Sequence, residues 1–211
     1  MASAVPEVGS RPEASAEGGG SRRALIGAAA AVAAFGSVPL IGRLFRVADA
    51  FGSRSPAQDR KILQLVQLLE YTQVAFYAQA LNRAGLKGEL RDFAHTALGH
   101  ERLHLAAIKK ALGPSAVARP SFAFGAKTTN PDAFARAAID LEDIAVAAYN
   151  GQAPNLTKPT LAAAAEIVSV EARHAAWVRA IVGEIAAPDP VDKPMTAQEA
   201  AVGLRRIGLR V

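Results

Sequence analysis

Residues 168–177 read VSVEARHAAW. Alanine and long aliphatic side chains favour helix here. Glu171 and His174 stand three residues apart, so they share one side of that helix, among apolar neighbours. A carboxylate and an imidazole turned toward a helix's own core need partners there. The chain offers them at matching positions. Glu101-Arg-Leu-His104 repeats the Glu-x-x-His spacing, and Glu70 and Glu142 fall on the helices that precede the two pairs.

Periodicity and punctuation place those helices. A first runs near 57–83 and ends before Gly85; a second runs near 88–112 and stops at Gly113-Pro114. A third opens at Asn130-Pro131, a cap followed by proline at the first helical position, and ends near Asn150-Gly151. A fourth runs from about Lys158 to Glu184 with Pro159 in its first turn. The first and second are closely linked, as are the third and fourth, which makes two antiparallel hairpins. Residues 113–130 join the hairpins and are too many for a tight turn, so the expected fold is all-α: an antiparallel four-helix bundle with a long crossover between helices 2 and 3.

Heptad spacing gives each helix one inward stripe. Those stripes are Leu63, Val66, Glu70, Val74, Tyr77, Leu81; Ala94, Ala97, Glu101, His104, Ile108, Ala111; Ala135, Ala138, Glu142, Ala145, Tyr149; and Ala164, Ile167, Glu171, His174, Val178, Ile181. Each is apolar except at one level, where every helix contributes a glutamate. The halves also repeat: Glu70 precedes Tyr77 by seven residues, as Glu142 precedes Tyr149, and each Glu-x-x-His pair follows on the next helix.

Bulk properties agree. The chain has 211 residues, 51% apolar and 20% charged, enough for one sizeable domain plus an appendage. Aromatics are only 6%, which suits closely packed alanine-rich helices better than a β-sandwich. The absence of cysteine excludes disulfides and thiolate metal sites. The net charge of +5 is diffuse, with no Lys/Arg run interleaved with aromatics, so nucleic acid is not expected as a partner.

Four ionised carboxylates in one buried layer would repel and lose hydration. The idealised penalty for one such ion is of order 20 kcal/mol, and several remain after relaxation. Two histidines cannot neutralise four acids. Two divalent ions can, and carboxylate oxygen with imidazole nitrogen suits iron or manganese, so the expected cofactor is two Fe or Mn ions. One Glu-x-x-His pair would mean little. Two pairs, each in a core stripe and each matched by a glutamate on the preceding helix, are a strong signal.

The order Glu, Glu-x-x-His, Glu, Glu-x-x-His resembles the dinuclear carboxylate motif of the ferritin-like superfamily. The resemblance implies that Glu101 and Glu171 bridge the metals, that Glu70 with His104 completes one site, and that Glu142 with His174 completes the other. It also implies that Tyr77 and Tyr149 hydrogen-bond ligand carboxylates from outside. The runs LEDIAVAAYNGQAPNL, RPSFAFG, VSVEARHAAW and DKPMTAQEA, within residues 55–203, resemble secreted bacterial ferritin-like proteins related to plant desiccation-related proteins. The activity of that family is poorly defined, so it does not choose the reaction.

Around these residues, Gln67 and Gln73 are spaced to hold Glu70 by hydrogen bonds. His100 reads as a boundary histidine, His95 as solvated, and Trp177 as packing rather than a wall of the site. Thr196 and Glu199 form a capping-box pattern ahead of a short amphipathic tail helix with Ala200, Leu204 and Ile207 on its apolar side. Docking on the bundle is the preferred reading of that helix; Arg205, Arg206 and Arg210 leave membrane contact as the other.

At the N-terminus, residues 1–20 are small, polar and glycine-rich, and are expected to be disordered. Ser21-Arg22-Arg23, an uncharged stretch from Ala24 to Ile41, and then Arg43 and Arg46 resemble a twin-arginine (Tat) export signal, relaxed in having Leu25 where phenylalanine is common. Ala48-Asp49-Ala50 would be the cleavage point. The other reading is an uncleaved membrane anchor, which Pro39 and three glycines weaken. The expected organisation is a leader over residues 1–50, a bundle over 51–186 and a tail over 187–211. The export machinery is then a partner, and the protein acts outside the cytoplasm.

Three functions fit. One is a redox enzyme acting on oxygen or peroxide as a ferroxidase, peroxidase or catalase-like protein. Another is a stress protein that sequesters iron or manganese. The third is a structural bundle with a vestigial site. No catalytic residue is singled out, and a homo-oligomer stays open.

Overall fold

The computed structural model describes residues 54–210; the expected disordered start, the twin-arginine pair and the cleavage point lie outside the described residues. The fold is all-α: four long helices, α1 (Pro56–Arg83), α2 (Gly88–Leu112), α3 (Pro131–Gln152) and α4 (Lys158–Ile181), and a short α5 (Ala197–Ile207). Two strands of two residues, β1 (Ser121–Phe122) and β2 (Leu209–Arg210), pair antiparallel and tie the crossover to the C-terminal end of the described chain.

Local chemistry sets the helix ends. Ser55 caps α1 by accepting from the Gln58 amide at 3.2 Å, with Pro56 in the first turn. Asn130 does the same for α3 through the Ala133 amide at 2.9 Å. α2 stops at Gly113, whose φ of 53° a side chain would resist. α4 ends at Ile181 rather than near Glu184, because Gly183 turns the chain at a φ of 79°.

The crossover runs the length of the bundle beside α1 and in the same direction. Gln64 donates to the Ser115 carbonyl, Gln67 exchanges two hydrogen bonds with the Val117 main chain, and Thr128 donates to Gln79. Contact therefore moves from residue 64 to 79 on α1 as it moves from 115 to 128 on the crossover. α3 then starts beside the end of α1 and runs back along it. Gln67 is thus a clamp on the crossover and does not hold Glu70, as its spacing had suggested.

α1 is buried on more sides than one stripe. Leu65 and Leu68, off the inward face, pack with Ala197 and Ala201 of α5 and with Val117 of the crossover. Phe76 and Phe134 stack with centroids 5.2 Å apart, and Tyr77 and Phe124 meet Phe76 edge-on. α4 is the most exposed of the long helices: Glu171, His174, Ala175 and Val178 are its only buried residues. Ala164 and Ile167 of its inward stripe border an apolar hollow of about 280 Å³, shared with Val66, Ile108 and Tyr149, and stay half-buried.

The tail returns over α3. The Met195 amide donates to the Ala147 carbonyl at 2.8 Å, Thr196 and Glu199 close both bonds of a capping box, and Ala200, Leu204 and Ile207 are buried. Among the described residues no helix is long and apolar enough to cross a membrane.

Asp59, on the first turn of α1, takes the place of a cap for α4. Its carboxylate accepts from the Thr157 amide at 2.9 Å and from the Thr157 and Thr160 hydroxyls. Burial pushes its pKa up, but these bonds outweigh burial and hold it below the usual carboxylate value. A depressed folded pKa contributes stability above the unfolded pKa of about 3.9, and that stability is lost as pH falls through the folded value. Asp59→Ala should therefore cost about 2 kcal/mol at neutral pH. Urea unfolding of both proteins should show the gap narrowing once pH drops below about 4.

Candidate metal centre

Each long helix delivers one glutamate to a single level of the core, and Glu70, Glu101, Glu142 and Glu171 are all 0% exposed. α2 and α4 add His104 and His174 one turn on, at the same face of each helix. His174 is buried, whereas the His104 side chain keeps 12% of its surface and marks the one place where these six residues meet solvent appreciably.

Both imidazoles turn Nδ1 inward. His104 Nδ1 lies 2.9 Å from Glu101 Oε2, 3.1 Å from Glu171 Oε1 and 3.6 Å from Glu70 Oε2. His174 Nδ1 lies 3.0 Å from Glu101 Oε1 and 3.5 Å from Glu142 Oε2. Two overlapping donor groups result: Glu70, Glu101, His104 and Glu171, and then Glu101, Glu142, Glu171 and His174. Within each, the ligand atoms all lie within 4.8 Å of one another. Glu101 and Glu171 belong to both.

The layer leaves polar atoms without hydrogen-bond partners: Glu70 Oε2, Glu101 Oε1, Glu171 Oε1 and His174 Nδ1. Buried polar atoms are nearly always paired, and each orphan costs about 1–3 kcal/mol. Four orphans facing one another, three of them carboxylate oxygens, form the donor set a hard or borderline divalent cation takes. The residues present therefore fit such an ion.

Electrostatics agree. Burial pushes Glu70 up to about 8 and Glu171 well above the carboxylate range, with neighbouring carboxylates adding to the rise in both. Burial also works against Glu101, but the imidazoles of His104 and His174 close beside it outweigh burial and bring it down to about 2. The carboxylates around each imidazole, Glu101, Glu171 and Glu70 for His104 and Glu101 and Glu142 for His174, overcome its burial and raise His104 to about 12 and His174 to about 9. The layer is short of positive charge and draws protons to itself. A cation would displace those protons.

The outer partners cross between helices. Tyr77 of α1 donates to Glu142 of α3, while Tyr149 of α3 donates to Glu70 of α1 at 2.7 Å. Since the two tyrosines each follow their own helix's glutamate by seven residues, this exchange requires α1 and α3 to run antiparallel. Gln73 donates to Glu171 at 2.8 Å and to Glu142 at 3.2 Å, so it serves the opposite pair of helices and not Glu70. Sequence spacing shows which residues share a helix face; it does not show which face lies opposite.

His100, read as a boundary residue, is exposed but its ring meets that of His174 edge to edge. His95 is exposed on the far side of α2. Trp177 packs edge-on against Phe93 at 5.4 Å and donates to Glu89, so it joins α4 to α2 and stands outside the carboxylate layer.

A family model described as a ferritin-like domain matches residues 58–184, which takes in nearly all of α1 to α4 and stops short of α5. A search of curated proteins finds no match to the chain.

Proposed function

The chain belongs to the ferritin-like domain family, and from that premise we propose that it holds a dinuclear iron or manganese centre outside the cytoplasm and uses it on oxygen or peroxide. Glu70 and His104 would serve one ion, Glu142 and His174 the other, and Glu101 and Glu171 both. The observation that carries this reading is the overlap of the two donor groups through those two shared glutamates. Iron or manganese bound there supplies redox chemistry toward a small oxidant of the ferroxidase, peroxidase or catalase-like kind.

The chain's own residues do the rest. Tyr149 and Tyr77 each occupy one oxygen of Glu70 and Glu142, which fixes how those carboxylates present the other. Gln73 orients Glu171 and Glu142 in the same way. Complete burial of the four carboxylates excludes bulk water, and the partly exposed His104 is the side from which an oxidant would approach. Arg22-Arg23 and the uncharged stretch after it support export in the folded state by the twin-arginine route. The likeness to desiccation-related proteins supports a stress role.

The same burial favours a second reading, in which the protein retains metal without turning over. One assay separates the two. Wild-type protein given Fe(II) in air, or peroxide after Mn(II) loading, should oxidise or consume it, and Glu101→Ala and His174→Ala should abolish that activity. Wild-type protein that binds metal yet turns over neither substrate would be a sequestering protein.

A further inference from the structure

His100 lies just outside the carboxylate layer on the exposed side of α2. Its ring is nearly parallel to that of His174, with centroids 5.1 Å apart and planes 10° from parallel, and the two rings meet edge to edge. His100 Nδ1 is 2.9 Å from His174 Nε2. The opposite nitrogen, His174 Nδ1, faces Glu101 and Glu142 and makes no hydrogen bond. Phe93 stands edge-on to the same ring at 6.3 Å, so the imidazole of His174 is held from two directions.

We infer that His100 is a positioning residue: it accepts the Nε2–H of His174, holds the Nδ1 lone pair toward Glu142, and so makes that half of the centre bind metal more tightly than the other. The inference rests on the dinuclear reading above. A histidine that ligates through one nitrogen carries its proton on the other, and the acceptor of that proton fixes both tautomer and ring angle. The usual acceptor is a carboxylate, a main-chain carbonyl or water; here it is a second imidazole, at hydrogen-bond distance and nearly coplanar.

The other half has no counterpart. The offset of 70 residues that carries Glu101 to Glu171 and His104 to His174 carries His100 to Val170, which offers no side-chain acceptor. His104 also turns Nδ1 to the carboxylates, and among the described residues no side chain accepts from its Nε2. The two halves match in their donors and differ in how firmly the imidazole is held.

The test is stepwise addition of Mn(II) to the metal-free full-length protein, followed by calorimetry and by anomalous scattering from crystals carrying one equivalent. The wild type should show two binding events, with the first ion between Glu142 and His174. His100→Phe keeps a flat ring of similar size but has no acceptor. It should weaken the tighter event about 10–100-fold and remove the first ion's preference. His100→Asn, which keeps an acceptor near the Nδ1 position, should restore most of the affinity. Because His100 is exposed, both variants should melt close to wild type without metal.

Two wild-type events that are both unmoved by His100→Phe would overturn the role of His100 and leave the centre standing. An equal loss in the Phe and Asn variants would also overturn it, since hydrogen bonding would then be irrelevant. Wild-type protein that binds no Mn(II) would overturn the dinuclear reading itself, and this inference with it.

Discussion

Loaded with Mn(II) or Fe(II), the wild-type protein should melt well above its metal-free form, and the double variant Glu101→Leu, Glu171→Leu should lose that difference entirely. At a free metal concentration a hundredfold above the dissociation constant, binding to the folded state alone stabilises by about 2.7 kcal/mol. For a chain of this size that is on the order of 10 °C in melting temperature. The two glutamates are the residues common to both donor groups, so replacing them removes two donors from each. The metal-free variant should be no less stable than the metal-free wild type. Four buried acids against two imidazoles leave an excess of negative charge; two acids against two imidazoles do not. Removing buried charge in favour of packed apolar side chains is often neutral or stabilising by about 1–4 kcal/mol. Thermal melts of both proteins, with metal and after chelation, read all four states. A wild-type melt indifferent to metal, or a variant still stabilised by it, would contradict the account.

Gly151→Ala should have the second large effect, through packing alone. Position 151 lies in the last turn of α3, where the returning tail crosses it. A Cβ there would sit 1.8 Å from the Met195 carbonyl oxygen and 2.8 Å from its carbonyl carbon. Both are main-chain atoms, so no rotamer change relieves the overlap. The tail must lift, and with it goes the Met195–Ala147 hydrogen bond that leads into the capping box of α5. A cost of about 3 kcal/mol is expected, the upper end for overpacking, together with faster proteolysis between α4 and α5. An alanine variant with wild-type stability and an intact tail would show that the tail is not held at this crossing.

Much of the bundle is legible in the sequence because its helices are punctuated by residues with one physical meaning. Asn130-Pro131 and Gly113-Pro114 mark ends that fall where those residues sit. The long connection at 113–130 could not be a hairpin turn, so the crossover followed. The six acid and imidazole residues meet at one level because heptad spacing carries depth along a helix faithfully.

What spacing does not carry is the identity of a neighbour across a gap. Resemblance puts Tyr77 and Tyr149 near the buried carboxylates, but their exchange between α1 and α3 depends on helix direction, which the crossover sets. Gln67 and Gln73 flank Glu70 at equal spacing, yet one grips the crossover and the other reaches Glu142 and Glu171, because α1 is covered on several sides. His100 looked peripheral since its exposure is real; its contact with His174 comes from another helix. Gly151 reads as a helix end, and α3 does stop one residue later, but nothing in its spacing shows that the tail passes over it.

The most direct test of the central claim is a crystal of the full-length protein grown with excess Mn(II), read by anomalous scattering. The account predicts two peaks about 3.5–4 Å apart, one among Glu70, Glu101, His104 and Glu171, the other among Glu101, Glu142, Glu171 and His174. No peak between the four helices, with the glutamates paired to one another or turned out to water, would contradict it.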